Sequence, residues 1–372
     1  MNTPTLFTPL QLGAVRLRNR IIMAPTTRMR ARMPGNLPWE LNSTYYRQRA
    51  SAGLIISEAT PVSPRAHGYF HMPGIHSAAQ VEGWKLVTRA VHEAGGIMFL
   101  QLFHAGRMSH NDFQPNGELP IAPSAIASGG HSPVAPGVMK PCPVPRALET
   151  SEIASIVEEH KQAAELAKQA GFDGVEIHAA NGYLLEQFLS DQANVRTDDY
   201  GGSVANRARL ILEVTEAVVS VWQGSRVGIR FSPANAGDGI GHTDRFGAYA
   251  HIIRELNQFQ LAYIHLIEPR VAGNEEAAQF DASLSSPKFR PLLAGDTRLI
   301  SAGGHTLTSG AAAVQSGEAD AIAWGRQFIA NPDLVERFAM NAPLNPYHRE
   351  TFYGGAEKGY TDYPFLARGA AH

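Results

Sequence analysis

Cysteine is nearly absent: Cys142 is the only one in 372 residues. One thiol can neither close an internal disulfide nor build a thiolate metal cluster, so a reducing cytoplasm is the expected compartment. No apolar run approaches the ~18 residues of a membrane helix, and the N-terminus lacks the charged-then-apolar pattern of a secretory signal. Neither charge sign prevails. Lys+Arg total 32 against Asp+Glu 34, a formal charge of −2, which argues against nucleic acid or an anionic membrane surface as the main partner. Glycine (35) and proline (24) are too few for the ~25–30% that marks low-complexity chains. Hydrophobic residues at 44% and charged residues at 18% exclude disorder and point to a globular, enzyme-sized chain with a large core.

Familiar motifs are missing as well. There is no GxxxxGK[ST] for a phosphate loop and no HExxH for a zinc site. The first strand-to-helix turn, residues 26–30, holds no glycine, which speaks against a doubly wound nucleotide fold. Gly237, Gly239 and Gly241 approach GxGxxG without its final spacing and read as a mobile loop. His67, His71 and His76 lie among glycine and proline with no gathered carboxylates. They read as a solvated loop, and no metal is expected.

What is present is alternation. Short β-branched runs at 21–27, 54–60, 97–104, 174–180, 226–233, 262–268, 298–303 and 319–325 read as strands, and the segments between them carry helical apolar spacing. The helix at 151–170 has Thr150 as its expected N-cap and Gly171 as its left-handed stop. A second spans 205–222. A strand then a helix, about eight times, predicts an α/β fold: a single (β/α)8 TIM barrel over 1–372. Residues 105–149, with eight prolines and five glycines, interrupt the pattern after strand 3 and read as an ordered cap on the face where barrel active sites are built.

Parity along each strand then picks out chemistry. In the 174–180 strand, Val175, Ile177 and Ala179 suit the helix layer, leaving Glu176 and His178 inward, with Asn181 and Tyr183 close behind. A donor imidazole, a donor amide and a phenol make an oxyanion-type clamp with a proton source beside it. In the 226–233 strand Arg230 points inward, where a cation needs an anionic partner: Glu58, Glu176, or a ligand that carries or develops negative charge. Gln101 adds a two-way amide and Thr27 a hydroxyl. After the last two strands, Gly303, Gly304 and Gly325 allow close backbone approach, and Arg326 adds charge, at the position where barrels hold phosphate. Tyr69 reads as an aromatic lid. Together these groups fit one elongated phosphorylated cofactor.

Several segments in order resemble the old yellow enzyme family of flavin-dependent ene-reductases, and are similar to its bacterial N-ethylmaleimide and pentaerythritol tetranitrate reductases. They are RNRIIMAPTTR at 18–28, YYRQRA at 45–50, SEAT at 57–60, QLFHAGR at 101–107, HAANGY at 178–183, RTDDYGGS at 196–203, NR at 206–207, WGR at 324–326, FYGG at 352–355 and GYTDYP at 359–364. The resemblance implies noncovalent FMN, with Pro25, Thr26, Thr27, Ala59, Gln101, His178 and Arg230 around the isoalloxazine and Gly303, Gly304, Gly325 and Arg326 on the phosphate. It implies NADPH, or NADH, as reductant, docking over the flavin face that the substrate later takes. It further implies that His178 and Asn181 grip the carbonyl of an enone, that Tyr183 protonates the α-carbon, and that Tyr69, Phe103 and Tyr353 line the substrate side. Nitro compounds and nitrate esters are further expected substrates. Two positions depart from the close bacterial relatives. Phe103 stands where Trp is common, implying a roomier pocket, and Asn181 replaces a second His, a pair that also occurs in the family. Two alternatives remain on the residues alone: a flavin-free barrel acting on a phosphorylated metabolite, and a flavin-binding protein without turnover.

Overall fold

A computed structural model describes residues 5–272, 275–276 and 281–367. Eight parallel strands carry the architecture: β1 (Ile21–Met23), β2 (Leu54–Ile56), β3 (Met98–Phe103), β4 (Gly174–His178), β5 (Val227–Phe231), β6 (Tyr263–Ile267), β7 (Arg298–Ala302) and β8 (Ala321–Trp324). Each pairs with the next, β8 pairs back to β1, and β3 pairs with β4, so the sheet closes on itself. This is the expected (β/α)8 barrel.

Alternation along the strands sorts the apolar side chains into two cores. Outward residues such as Ile21, Ile55, Leu100, Val175, Ile229, Leu266 and Ile322 join one cluster with the helices. Inward residues such as Ile22, Leu54, Phe99, Tyr263, Ile300 and Ala321 join a second inside the barrel. An antiparallel hairpin, Leu10–Leu12 with Val15–Leu17, adds its four apolar side chains to that inner core. It crosses the N-terminal ends of the strands, where the Ala14 amide donates to the Ser225 carbonyl at 2.8 Å and Arg298 Nε donates to the Gln11 carbonyl at 3.2 Å.

The helices are α1 (Glu40–Gln48), α2 (Ala78–Glu93), α3 (Thr150–Gln169), α4 (Leu184–Leu189), α5 (Val204–Trp222), α6 (Arg245–Leu256), α7 (Ser286–Phe289), α8 (Leu307–Ser316), α9 (Arg326–Ala330) and α10 (Leu334–Ala339). In α3 the N-cap is Glu149, not Thr150: Glu149 and Glu152 form a reciprocal box, and the Thr150 hydroxyl turns out to Asp198. Gly171 has φ +85° and stops the helix as expected. The short, fully buried α4 is too brief to show a periodic pattern. The expected strand at 54–60 is broken, because the Glu58 amide donates to the Tyr46 hydroxyl (2.9 Å) and its carbonyl takes the hydroxyls of Ser57 and Thr60 (3.0 and 2.7 Å). The chain rejoins β3 only at Thr60–Pro61.

The excursion between β3 and α3 is ordered. It contains the hairpin His131–Ala135 with Val138–Pro141 and a parallel pair, Ile121–Ala122 with Arg146–Ala147. The hairpin leans on the loop that carries Tyr69: Phe70 N–H donates to the Pro133 carbonyl (3.1 Å) and Ser132 Oγ to the Gly68 carbonyl (2.6 Å). From the other side, buried Arg28 and Arg30 donate to the Phe352 carbonyl at 2.9 and 3.2 Å, which pins the 351–363 segment against α1.

Candidate active site

The C-terminal strand ends open into a cavity of about 510 Å³, within the range of small-molecule and cofactor sites. Its walls come from Pro25, Thr26 and Thr27 after β1, Asn181 and Tyr183 after β4, Arg230 on β5, Gly303 and Gly304 after β7, and Gly325 and Arg326 after β8. Tyr69, Tyr353, His131, Pro133 and Met139 close it from above.

His178 ends β4, in register with Arg230 on β5, and is buried. Its Nδ1 accepts the Ala180 amide at 3.3 Å, so the ring proton belongs on Nε2. Burial, then the Arg230 cation and His265, hold its pKa well below the usual value. The ring is therefore a neutral N–H donor at pH 7. Asn181 has φ +56° and Gly182 φ +83°, a left-handed pair that turns the chain sharply after the strand. Tyr183 packs edge-on against Phe103 (4.6 Å) and His178 (5.0 Å). Burial pushes its pKa well up, so its phenol stays protonated at neutral pH. Its hydroxyl lies 2.5 Å from that of Tyr69.

Beneath these groups is a polar layer. Glu176 accepts Gln101 Nε2 at 2.8 Å on one oxygen and His265 Nδ1 at 2.8 Å on the other. Burial alone would raise the Glu176 pKa; His265, Arg230 and the Gln101 bond outweigh it and the carboxyl stays ionised. Glu176, not Glu58, is the carboxylate that acts on Arg230. Glu58 is occupied elsewhere, accepting the Arg28 amide at 3.0 Å and the Tyr46 hydroxyl at 3.3 Å. Arg230 makes no ion pair among the described residues, and its buried Nε has no hydrogen-bond partner.

At the far end, Gly303 and Gly304 have φ +101° and +68°. A Cβ on Gly303 would stand 2.6 Å from Val271 Cγ2, and one on Gly325 3.3 Å from Thr26 Cγ2. Arg326 sits over the Tyr347 ring at 5.6 Å. The two turns differ in one respect from the sequence reading. The β7 turn does not open a helix directly, because α8 starts later behind its own Thr306–Ser309 capping box, whereas α9 starts at Arg326 with no side-chain cap.

Residues 5–345 match the NADH:flavin oxidoreductase / NADH oxidase family. The chain is 44% identical over 381 residues to 12-oxophytodienoate reductase 7 of Oryza sativa subsp. japonica, covering 98% of this chain and 95% of that protein. Among solved structures it superposes on morphinone reductase in complex with tetrahydroNAD with a TM-score of 0.92 at 48% identity, covering 99% of each chain. It superposes on the old yellow enzyme homologue from Zymomonas mobilis with a TM-score of 0.92 at 42% identity, covering 98% of this chain and all (100%) of that one.

The chain belongs to the NADH:flavin oxidoreductase / NADH oxidase family.

It is an FMN-dependent oxidoreductase of the old yellow enzyme type. Two observations in the cavity fit that cofactor. A half-buried guanidinium whose buried Nε has no hydrogen-bond partner matches a ring system that gathers negative charge on reduction, and a glycine cradle that a Cβ at Gly303 would fill matches a phosphate.

Of the residues expected from sequence, Thr26, Thr27, Asn181, Tyr183, Arg230, Gly303, Gly304, Gly325, Arg326, Tyr69 and Tyr353 share the cavity wall with Pro25. His178, Gln101, Ala59 and Phe103 are buried behind it, the last two in an apolar cluster with Met72, Ala105, Tyr69 and Tyr183. The cap at 105–149 lies over this face as expected, but its contributors His131, Pro133 and Met139 were not singled out, nor were Met29, Asp238 and Phe352. Asp238 lay in plain view within the glycine cluster read as a mobile loop. His67 is a correction: it is buried, not solvated, with its Nε2 3.1 Å from that of His76 and its pKa pushed down to about 3 by burial. No group of three or more metal-ligating side chains occurs among the described residues. No helix there is long and apolar enough to cross a membrane.

Proposed function

We propose that the chain, acting as one unit, reduces the activated C=C bond of α,β-unsaturated carbonyl compounds at the expense of NADPH or NADH. Noncovalently bound FMN supplies the hydride relay between reductant and substrate. Pro25, Thr26, Thr27, Ala59, Gln101, His178 and Arg230 would surround its ring system, and Gly303, Gly304, Gly325 and Arg326 its phosphate.

The observation that carries the reading is that a carboxamide, Asn181, and a protonated phenol, Tyr183, line one cavity beside Arg230, with the neutral imidazole of His178 packed edge-on against that phenol just behind the wall. His178 Nε2–H and the Asn181 amide donate to the substrate carbonyl oxygen, drawing electron density from the β-carbon. Tyr183 gives its proton to the α-carbon. Arg230 offsets negative charge below, and Tyr69, Tyr353 and Phe103 shape the space above and behind. Nitro compounds and nitrate esters fit the same donor set. Purified protein loaded with FMN should lose its yellow absorption on NADPH addition under anaerobic conditions and regain it with 2-cyclohexenone. Bleaching without recovery would make the chain a flavin carrier, and failure to bind FMN would overturn the reading.

A further inference from the structure

Glu186 is a fully buried carboxylate in α4, and it faces no cation within ion-pair distance among the described residues. Four donors converge on it instead. Oε2 accepts the Gly182 amide at 2.5 Å and Asn235 Nδ2 at 3.0 Å. Oε1 accepts Ser232 Oγ at 2.8 Å and the Tyr249 hydroxyl. Ser232 Oγ in turn accepts the Asn181 amide at 2.8 Å. The two backbone amides fixed in this way belong to Asn181 and Gly182, the left-handed pair after β4. Asn tolerates a positive φ better than other non-glycine residues, and at Asn181 the surrounding bonds fix that conformation.

The donor set also explains why the residue is acidic. The Gly182 amide and Asn235 Nδ2, whose Oδ1 is already taken by the Gly237 amide, can only donate, so an acceptor must face them, while the Ser232 and Tyr249 hydroxyls turn their hydrogens to the other oxygen. A glutamine could keep an acceptor on the Gly182 and Asn235 pair only by turning its NH2 toward Ser232 and Tyr249, which would have to reverse both hydroxyls and rearrange the link to Asn181.

We propose that Glu186 is a positioning residue for the carbonyl clamp: directly through Gly182, and through Ser232 for Asn181, it holds the loop in the backbone shape that presents the Asn181 carboxamide to a substrate oxygen. By tying Ser232, Asn235 and Tyr249 to the same carboxylate, it also locks this loop to the β5–α6 connection that brings Asp238 to the cavity rim.

This rests on the clamp reading above, and N181A separates the two. Phenol is titrated into the oxidised, FMN-loaded enzyme and followed by the flavin absorption change, with KM and kcat for 2-cyclohexenone measured alongside. E186Q is expected to weaken phenol ~10-fold and to raise KM more than it lowers kcat. S232A, a smaller lesion that cuts only the link to Asn181, should act in the same direction by ~3-fold. E186D, which keeps an acceptor-only group, should recover part of the E186Q loss. If N181A leaves phenol affinity unchanged, the clamp reading itself fails and takes the proposal with it. If N181A weakens phenol while E186Q and S232A bind it as the parent enzyme does, Glu186 is merely structural and the proposal is overturned. Should E186Q not load FMN, S232A decides alone.

Discussion

The Tyr69 and Tyr183 hydroxyls face each other at 2.5 Å across the top of the cavity. Burial raises the Tyr183 pKa, and the bond from Tyr69 pulls it part of the way back by favouring the phenolate. Tyr183→Phe should therefore slow enone reduction by ~10²-fold or more while NADPH oxidation stays within about twofold. Tyr69→Phe removes the partner that makes Tyr183 the better acid, and should slow only the enone step, by ~10-fold. Stopped-flow measurement of the two half-reactions checks both. Equal losses in the two half-reactions of Tyr183→Phe would remove it from the proton-donor role.

Arg230→Met deletes the cation that stands beside Glu176 and beneath the proposed flavin. The oxidised cofactor should still bind, but its midpoint potential should fall because the reduced form loses the charge that stabilises it. Anaerobic redox titration reads this directly; an unchanged or higher potential would dissociate Arg230 from the flavin.

The phosphate cradle makes a graded prediction. At Gly303 an added Cβ meets Val271 at 2.6 Å on a backbone at φ +101°, whereas at Gly325 the nearest contact is 3.3 Å and φ is −97°. Gly303→Ala should weaken FMN by ~10-fold or more, and Gly325→Ala by much less. Fluorescence titration of FMN into apoprotein gives the order, which the reverse ranking would contradict.

Acid should loosen the fold before the carboxylates titrate. Burial pushes His160 and His242 down to about 4 and His67 and His305 to about 3, from an ordinary 6.5. Below pH 6.5 the unfolded chain binds protons that the folded chain refuses, so stability falls with pH from 6.5 to each folded pKa. The slope is at most about 1.4 kcal/mol per pH unit per residue. Urea midpoints at pH 7 and pH 5 should differ accordingly. His160→Gln, at a fully buried ring bonded to the Ile156 carbonyl (2.7 Å), should flatten the pH dependence by one proton.

What the sequence made legible followed from period and parity. Alternation in a parallel strand is a local property, so the inward set Glu176, His178 and Arg230 could be read before any contact was known. Glycines needing unusual backbone angles are equally local, which is why Gly303 and Gly304 stood out. Contacts set by long loops were not legible. The position of 105–149 after strand 3 put a cap over the strand ends, but nothing near His131, Pro133 or Met139 says that these three reach the cavity, and nothing near Asp238 says that its loop is anchored through Asn235 to Glu186. The strand break at Ser57–Ala59 was hidden for the same reason: the side chain that receives the Glu58 amide, Tyr46, comes from another element.

The hairpin of Leu10–Leu12 and Val15–Leu17 gives the barrel a floor. With that end shut among the described residues, the cavity at the C-terminal strand ends is reached from the opposite side, beneath the Tyr69 and Tyr353 loops. Under the function proposed above, reductant and substrate would be rivals for that opening, and an excess of either one would slow the turn of the other.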